Sequence, residues 1–348
     1  MNRKFEPNWL PMSVGSVPHT NPYDAWDLLR RTTPQIPCWP QLPRRSFFEN
    51  MYVQYSEGFP GVVIEDERIY VDTDSPEKDK TLELLYMAYL ENRLSYAAIS
   101  PKYAAGLAVL LEEGLSVDPP PIALKGQVTG PISWGLTVVD QNRRPILYDE
   151  ILADAVAKLL RLKASWQERE LQQVVPQTII FVDEPYMASF GSAFVSLSRE
   201  QVITLLNEVL AGIEGLKGVH CCGNTDWSIL LSTPIDILNL DAYNYAHTIA
   251  LYTEEVSAFL DRGGIIAWGI VPASTEAVSE TITSLVDRLE QAIQGLADKG
   301  VSRDKLLAAG LVTPSCGTGS LSEDVARLVL ELTAGVSMVM RRRYGLSV

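Results

Sequence analysis

The stretch "ILADAVAKLLRLKASWQERELQQVVPQTIIFVDE" (residues 151–184) decides the fold. Residues 151–173 repeat apolar side chains at three- and four-residue spacing, the pattern of an amphipathic helix. "QTIIFVDE" (177–184) is a β-rich apolar run closed by two acids, as expected of a buried strand ending at a polar rim. Working outward, similar strands are predicted at "MSVGSV" (12–17), "IPCWPQL" (36–42), "PIALKGQV" (121–128), "LKGVHCC" (216–222), "IDILNL" (235–240), "GIIAWGIV" (264–271) and "LLAAGLV" (306–312). A second clear amphipathic helix spans 280–300. Strands alternating with helices in this way predict an α/β protein, a (β/α)8 TIM barrel, with a doubly wound sheet as the alternative. Residues 43–120 break the alternation. There "GVVIEDERIYVD" (61–72) reads as a hairpin followed by two helices, an insertion between the second and third strands that covers one barrel mouth. Residues 1–348 are read as one catalytic barrel, without internal repeat or linker.

Composition narrows the function. The chain of 348 residues is 47% apolar and 21% charged, with a net charge of −14. That charge disfavours a duplex nucleic-acid surface or an anionic membrane as partner. No apolar run is long enough for a signal peptide or a bilayer span, so a cytoplasmic location is expected, with the four cysteines mostly reduced.

In a barrel, the C-terminal ends of the strands converge on one face, where chemistry gathers. The polar residues closing these strands are Ser16, Thr129, Asp183, Glu184, His220, Cys222, Asp241 and Cys316. "GVHCCGNTDW" (218–227) puts one of three histidines beside two of four cysteines. This could be a dispersed metal site, a redox pair or cysteine-rich core. Strand alternation turns His220 and Cys222 to one side and Cys221 to the other. Imidazole and thiolate are a ligand pair zinc favours, and Cys316 offers a third donor, leaving a fourth position open. A Cys221–Cys222 disulfide is disfavoured by strain, and no Cys-x-x-Cys is present. His19 and His247 have no cysteine neighbours and read as surface or core histidines, and Cys38 as packing. "CGTGSLSED" (316–324) lacks the lysine and spacing of a P-loop; Ser320 with Glu323 reads instead as a capping box.

Taken together, these motifs resemble the catalytic C-terminal half of the cobalamin-independent methionine synthases. "HCC", "IDILNLD" (235–241) and "TPSCG" (313–317) are similar to that family's His-x-Cys, its acidic ligand about twenty residues on and its final cysteine turn. "SVGSVPHT" (13–20), "LKGQVTGP" (124–131) and "FVDEP" (181–185) resemble its other motifs in the same order. "HCCGNT" (220–225) also resembles the corrinoid:thiol methyltransferases of the uroporphyrinogen decarboxylase superfamily.

The resemblance implies zinc held by His220, Cys222 and Cys316, with Asp241 at the position of the acidic ligand, an aspartate where the family has glutamate. It places Asp183 against a substrate amino group and Ser16 in the loop that holds its carboxylate. Gln54 falls nearest a family glutamate that touches the amine, with Glu57 close by. Asp183 and Glu184 are the expected catalytic acids. The implied reaction is methyl transfer to a thiol, homocysteine giving methionine.

The chain begins at the catalytic barrel, and no folate segment is evident. A methylcorrinoid, methylcobalamin or a corrinoid protein, is therefore the expected donor, with Trp134 and Trp268 offering flat apolar surface. The alternatives are another thiol acceptor resembling coenzyme M, a tetrahydrofolate-linked methyltransferase, a non-enzymatic zinc barrel, or a metal-free uroporphyrinogen decarboxylase using "PRRS" (43–46) to bind carboxylates.

Overall fold

The computed structural model describes residues 5–193 and 195–346. Six strands form one parallel sheet in the order β3 (Leu124–Thr129), β5 (Thr178–Asp183), β6 (Leu216–Cys221), β7 (Ile237–Leu240), β8 (Ile265–Val271) and β9 (Gly310–Pro314). Every residue of β3, β5, β7, β8 and β9 is buried, as parallel strands covered on both faces must be. The two N-terminal segments complete the circle through single parallel bridges, Pro11 to Val312, Ser16 to Gln41 and Cys38 to Lys125. The fold is thus α/β with the eight-membered order of the expected barrel. The first two members do not form full ladders. Pro11, Pro37 and Pro40 carry no amide proton to donate, and Gly15 sits at φ +147°.

The eighth strand begins later than expected, at Gly310, because Arg303–Ala308 form a short helix capped by Ser302. A continuous apolar run such as "LLAAGLV" does not by itself separate the end of a helix from the start of a strand. The long helices lie close to expectation. Glu150–Gln172 is capped by Asp149, and Ile282–Ala297 starts from a capping box of Thr281 with Ser284. The final helix, Glu323–Arg343, is capped by Ser322, whose hydroxyl accepts from the Val325 amide; the expected Ser320–Glu323 box does not form.

The hairpin β1 (Val62–Glu65) and β2 (Arg68–Val71) is present and is extended by β4 (Val139–Asp140). The two following helices are Lys78–Leu90 and Ala105–Glu113. The second packs on the helix Pro22–Thr32, so it serves as the barrel helix between the second and third strands. Only the part before it is inserted material. Residues 51–55 reach the ends of the strands: Thr129 Oγ1 donates to Met51 O, Trp134 Nε1 to Tyr52 O and Tyr55 OH to Gln127 O.

Inside the circle, Leu10, Met12, Ile36, Ala123, Ile179, Phe181, Ile237, Ile265, Ala267 and Leu311 form a separate apolar cluster. Successive inward positions on these strands become polar toward their C-terminal ends: Lys125, Asp183, His220, Asn239 and Thr313. The register sets Asp183 opposite His220, and His220 opposite Asn239. The polar end of the barrel therefore sits on a packed apolar floor.

Candidate metal centre

His220 is the penultimate residue of β6 and is 3% exposed. Its Nδ1 lies 2.7 Å from Asn239 Oδ1, and its buried Nε2 has no hydrogen-bond partner among the described residues. Cys222 follows one residue beyond the strand, and Cys316 two residues beyond β9; both are half-buried. One ligand atom from each of His220, Cys222 and Cys316 lies within 4.8 Å of the others. Cys221 is fully buried on the opposite side, with its thiol directed to Gly223 O. Burial pushes the Cys221 thiol up to about 12, so it is a poor thiolate. Cys222 is drawn the other way: the hydrogen bond from the Cys316 thiol pulls it well below the usual thiol range despite burial. One proton shared by two sulfurs leaves one of them anionic, the state a metal ligand requires.

The donor set suits zinc. Two sulfurs and one imidazole nitrogen converge, and the nitrogen is a buried polar atom otherwise left without a partner. The cysteine turn is clamped from the first strand segment. Thr318 donates from both its amide and its hydroxyl to Ser16 O, and the Gly319 amide donates to Ser16 Oγ at 3.3 Å. Arg44 closes the turn from the other side by donating to Ser320 O at 2.6 Å. A Cβ at Gly317 would collide with the Ser16 hydroxyl, so a larger residue there would displace the Ser16 side chain.

Asp241 does not join the three donors. It caps the helix Ala242–Ile249, with Oδ1 accepting from the Asn244 amide and Oδ2 from the Asn244 side chain. The aspartate stem is short, and its helix claims both oxygens.

Asp183 and Glu184 are adjacent and therefore point apart. Asp183 faces inward, 7% exposed, and its Oδ1 has no hydrogen-bond partner among the described residues. Burial raises its pKa, while the charges of Lys125 and His220 pull it down. Glu184, expected to be catalytic, turns outward and is fully buried. Its Oε1 accepts from the Ile132 amide at 2.9 Å; its Oε2 accepts from the Ser133 amide at 2.8 Å and from Ser133 Oγ at 2.6 Å. It is the cap of the helix Pro131–Thr137, which has no side-chain cap of its own.

Gln54 is also committed elsewhere. It accepts from Gln41 and donates to Tyr103 O, so both ends of its amide already have partners within the protein. Glu57 accepts from the Ser100 amide. In the basic pair 44–45, Arg44 holds the cysteine turn and Arg45 pairs with Glu49 at 2.7 Å. Those two arginines serve the fold, which removes the basis for binding a polycarboxylate there. Trp134 and Trp268 are both fully buried and offer no face to a ring.

Two residues of the inner wall were not anticipated. Asn239 contacts the histidine, and Lys125 donates to Val14 O at 2.6 Å and to Gln127 Oε1 at 3.0 Å while standing over the Phe181 ring. Both are polar residues on otherwise apolar strands, with the inward parity of Asp241 and Thr129 respectively.

No protein-family model and no curated protein matches this sequence. Among solved structures the chain is similar to a methyltransferase from Methanosarcina mazei, at 11% identity and a TM-score of 0.56, over 94% of this chain and 87% of that one. It is also similar to a B12-independent methionine synthase from a Shewanella species in complex with selenomethionine, at 21% identity and a TM-score of 0.48, over 68% of this chain and 67% of that one. The likeness to the Methanosarcina protein extends over almost the whole chain and bears out the α/β barrel architecture.

Proposed function

We propose that this protein is a zinc-dependent methyltransferase that transfers a methyl group to a thiol, with homocysteine as the acceptor. The observation that carries the reading is the open three-donor set at the barrel rim: a buried imidazole Nε2 with no other partner, facing two half-buried cysteines. A zinc ion held by His220, Cys222 and Cys316 would lower the pKa of an incoming thiol and so supply a nucleophile at neutral pH.

The protein's own residues position that thiol. Asp183 Oδ1 is a buried acceptor in want of a donor, suited to the ammonium of an amino acid. The Ser16 hydroxyl accepts from Gly319 and keeps its own proton to offer a carboxylate. Methyl transfer then forms the sulfur–carbon bond from a sulfur electron pair. The bond from methyl to donor breaks with its pair left on the donor, and the thiol proton passes to solvent. Fixing the two reactants in line is the main service the barrel rim performs.

The donor we infer is a methylcorrinoid, free or carried on a corrinoid protein, on the likeness of "HCCGNT" to corrinoid-dependent enzymes. The test combines metal analysis with an assay. The purified protein should contain about one zinc per chain. Cys222→Ser and Cys316→Ser should each lose most of it, and Cys221→Ser should keep it. Methylcobalamin with homocysteine should yield methionine, and methyl-tetrahydrofolate should not. Zinc retained equally in all three variants would sink the metal assignment. Methionine formed from methyl-tetrahydrofolate alone would overturn the donor only, and turnover with a different thiol would overturn the acceptor only.

A further inference from the structure

We propose that Asn239 is a positioning residue that locks His220 in the one neutral tautomer able to bind a metal through Nε2. This deepens the zinc reading and rests on it for its functional meaning, but the tautomer itself can be read without a metal.

The inference starts from a backbone carbonyl. Asn239 sits on β7 opposite His220, 2% exposed, and its side chain has three contacts. Nδ2 lies 2.8 Å from Ala267 O and 2.8 Å from Thr313 Oγ1, and Oδ1 lies 2.7 Å from His220 Nδ1. The two ends of an amide look alike in shape, so its orientation is settled by its partners. Ala267 O can only accept a hydrogen bond. The asparagine atom facing it must therefore be the NH2 group, and the atom facing His220 must be the carbonyl oxygen. That oxygen can only accept, so His220 Nδ1 must carry the proton. A neutral imidazole with its proton on Nδ1 has its lone pair on Nε2, the atom that faces the two cysteines and has no other partner.

The chain of constraint runs from β8 through β7 to β6 without a titratable group before the histidine. Reversing the tautomer would require the amide to turn over. That would set two acceptor oxygens against each other and cost Ala267 O the donor it has in Asn239 Nδ2. Thr313 adds a second contact from β9, but its hydroxyl can donate or accept, so it imposes no direction. The orientation rests on Ala267 O alone.

Three variants test this: Asn239→Leu, Asn239→Asp and Thr313→Val. The chain has three histidines, so their ring nitrogens can be assigned in a two-dimensional 15N–1H spectrum of the metal-free protein. It is recorded on the alkaline side of the His220 titration because, against its burial, Cys222 and Asp183 raise its pKa, and only the neutral ring has a tautomer. The wild type and Thr313→Val should show His220 protonated on Nδ1 with Nε2 bare. Asn239→Asp preserves an acceptor at Nδ1 and should show the same pattern. Asn239→Leu should lose it, and its zinc affinity, measured by competition with a chromophoric chelator, should fall by roughly 10–100-fold, the range for groups that support a ligand. Asn239→Asp should restore most of that affinity. Should Asn239→Leu fold poorly, the Asn239→Asp and Thr313→Val spectra still decide the matter. An Nε2-protonated His220 in the wild type, or in Thr313→Val, would overturn the proposal. So would an unchanged tautomer and unchanged zinc affinity in a folded Asn239→Leu. A wild type that binds no zinc but holds the Nδ1 proton would defeat the metal reading while leaving the role of Asn239 standing.

Discussion

Replacing Glu184 separates a structural carboxylate from a catalytic one. Its two oxygens receive the Ile132 and Ser133 amides and the Ser133 hydroxyl, all in a fully buried setting. Gly130, which precedes the helix they start, has no room for a Cβ because Glu184 occupies the space. Glu184→Ala removes the side-chain acceptor of three buried donors. Burial pushes Glu184 up to about 7, so at pH 7.5 the carboxylate form only modestly prevails and its hydrogen bonds are worth about 1.5–2 kcal/mol each, the low end for a charged group; water entering the cavity would recover part of the loss. A net cost of about 3–5 kcal/mol follows, at the top of the range for single substitutions. With an unfolding entropy of roughly 2.1 cal/mol/K per residue, such a loss lowers the Tm of a chain this long by about 4–7 °C. Glu184→Gln, which keeps one acceptor oxygen, should lose about half as much. The assay is scanning calorimetry at pH 7.5, paired with zinc content and methyl transfer measured well below the transition. Both variants should retain zinc and most of the rate. An unchanged Tm with a rate reduced a hundredfold in the zinc-loaded protein would refute the structural assignment and return Glu184 to the chemistry.

Two more outcomes follow from the same geometry. Asp241→Ala should keep one zinc per chain, with affinity falling less than about tenfold, because Asn244 and not the metal position receives both carboxylate oxygens; the lost cap should cost about 1 kcal/mol in thermal stability. A stoichiometric loss of zinc in that variant would contradict the placement of Asp241. Glu49, buried beside Arg45, is pushed by burial up to about 7. Raised in the folded state, its contribution is fully present below the unfolded value near pH 4.5 and is lost as pH rises through 7. Glu49→Gln should therefore gain stability relative to wild type between pH 5 and 8, by up to about 3 kcal/mol at the upper end. Parallel Tm curves for the two proteins across that window would show that Glu49 stays ionised throughout.

What the sequence made legible follows from how each signal is written in it. β3 and β5–β8 were readable because a parallel strand buried on both faces must be apolar along its length. The first two barrel members were placed correctly but expected to be regular. Their prolines, visible in the sequence, reduce each to isolated bridges. The convergence of His220, Cys222 and Cys316 was readable for a different reason: histidine and cysteine are rare here, and alternation alone turns Cys222 inward and Cys221 into the core.

The same alternation also separates Asp183 from Glu184, a distinction available in the sequence but outweighed by the resemblance to a paired acidic motif. Asp241 was ambiguous for a deeper reason. An aspartate at the C-terminal end of a barrel strand is also the residue before a helix, so a metal-ligand position and an N-cap position coincide there. Which role is taken depends on side-chain reach and on the residue three places on, and here Asn244 donates to both carboxylate oxygens. Asn239 carries the opposite lesson. A single amide within the buried strand "ILNL" has inward parity with Asp241, and burying an amide costs free energy unless its partners are provided. Such a residue in such a place is itself a signal, but its three partners come from three other strands, β6, β8 and β9. Only the closed barrel brings them together.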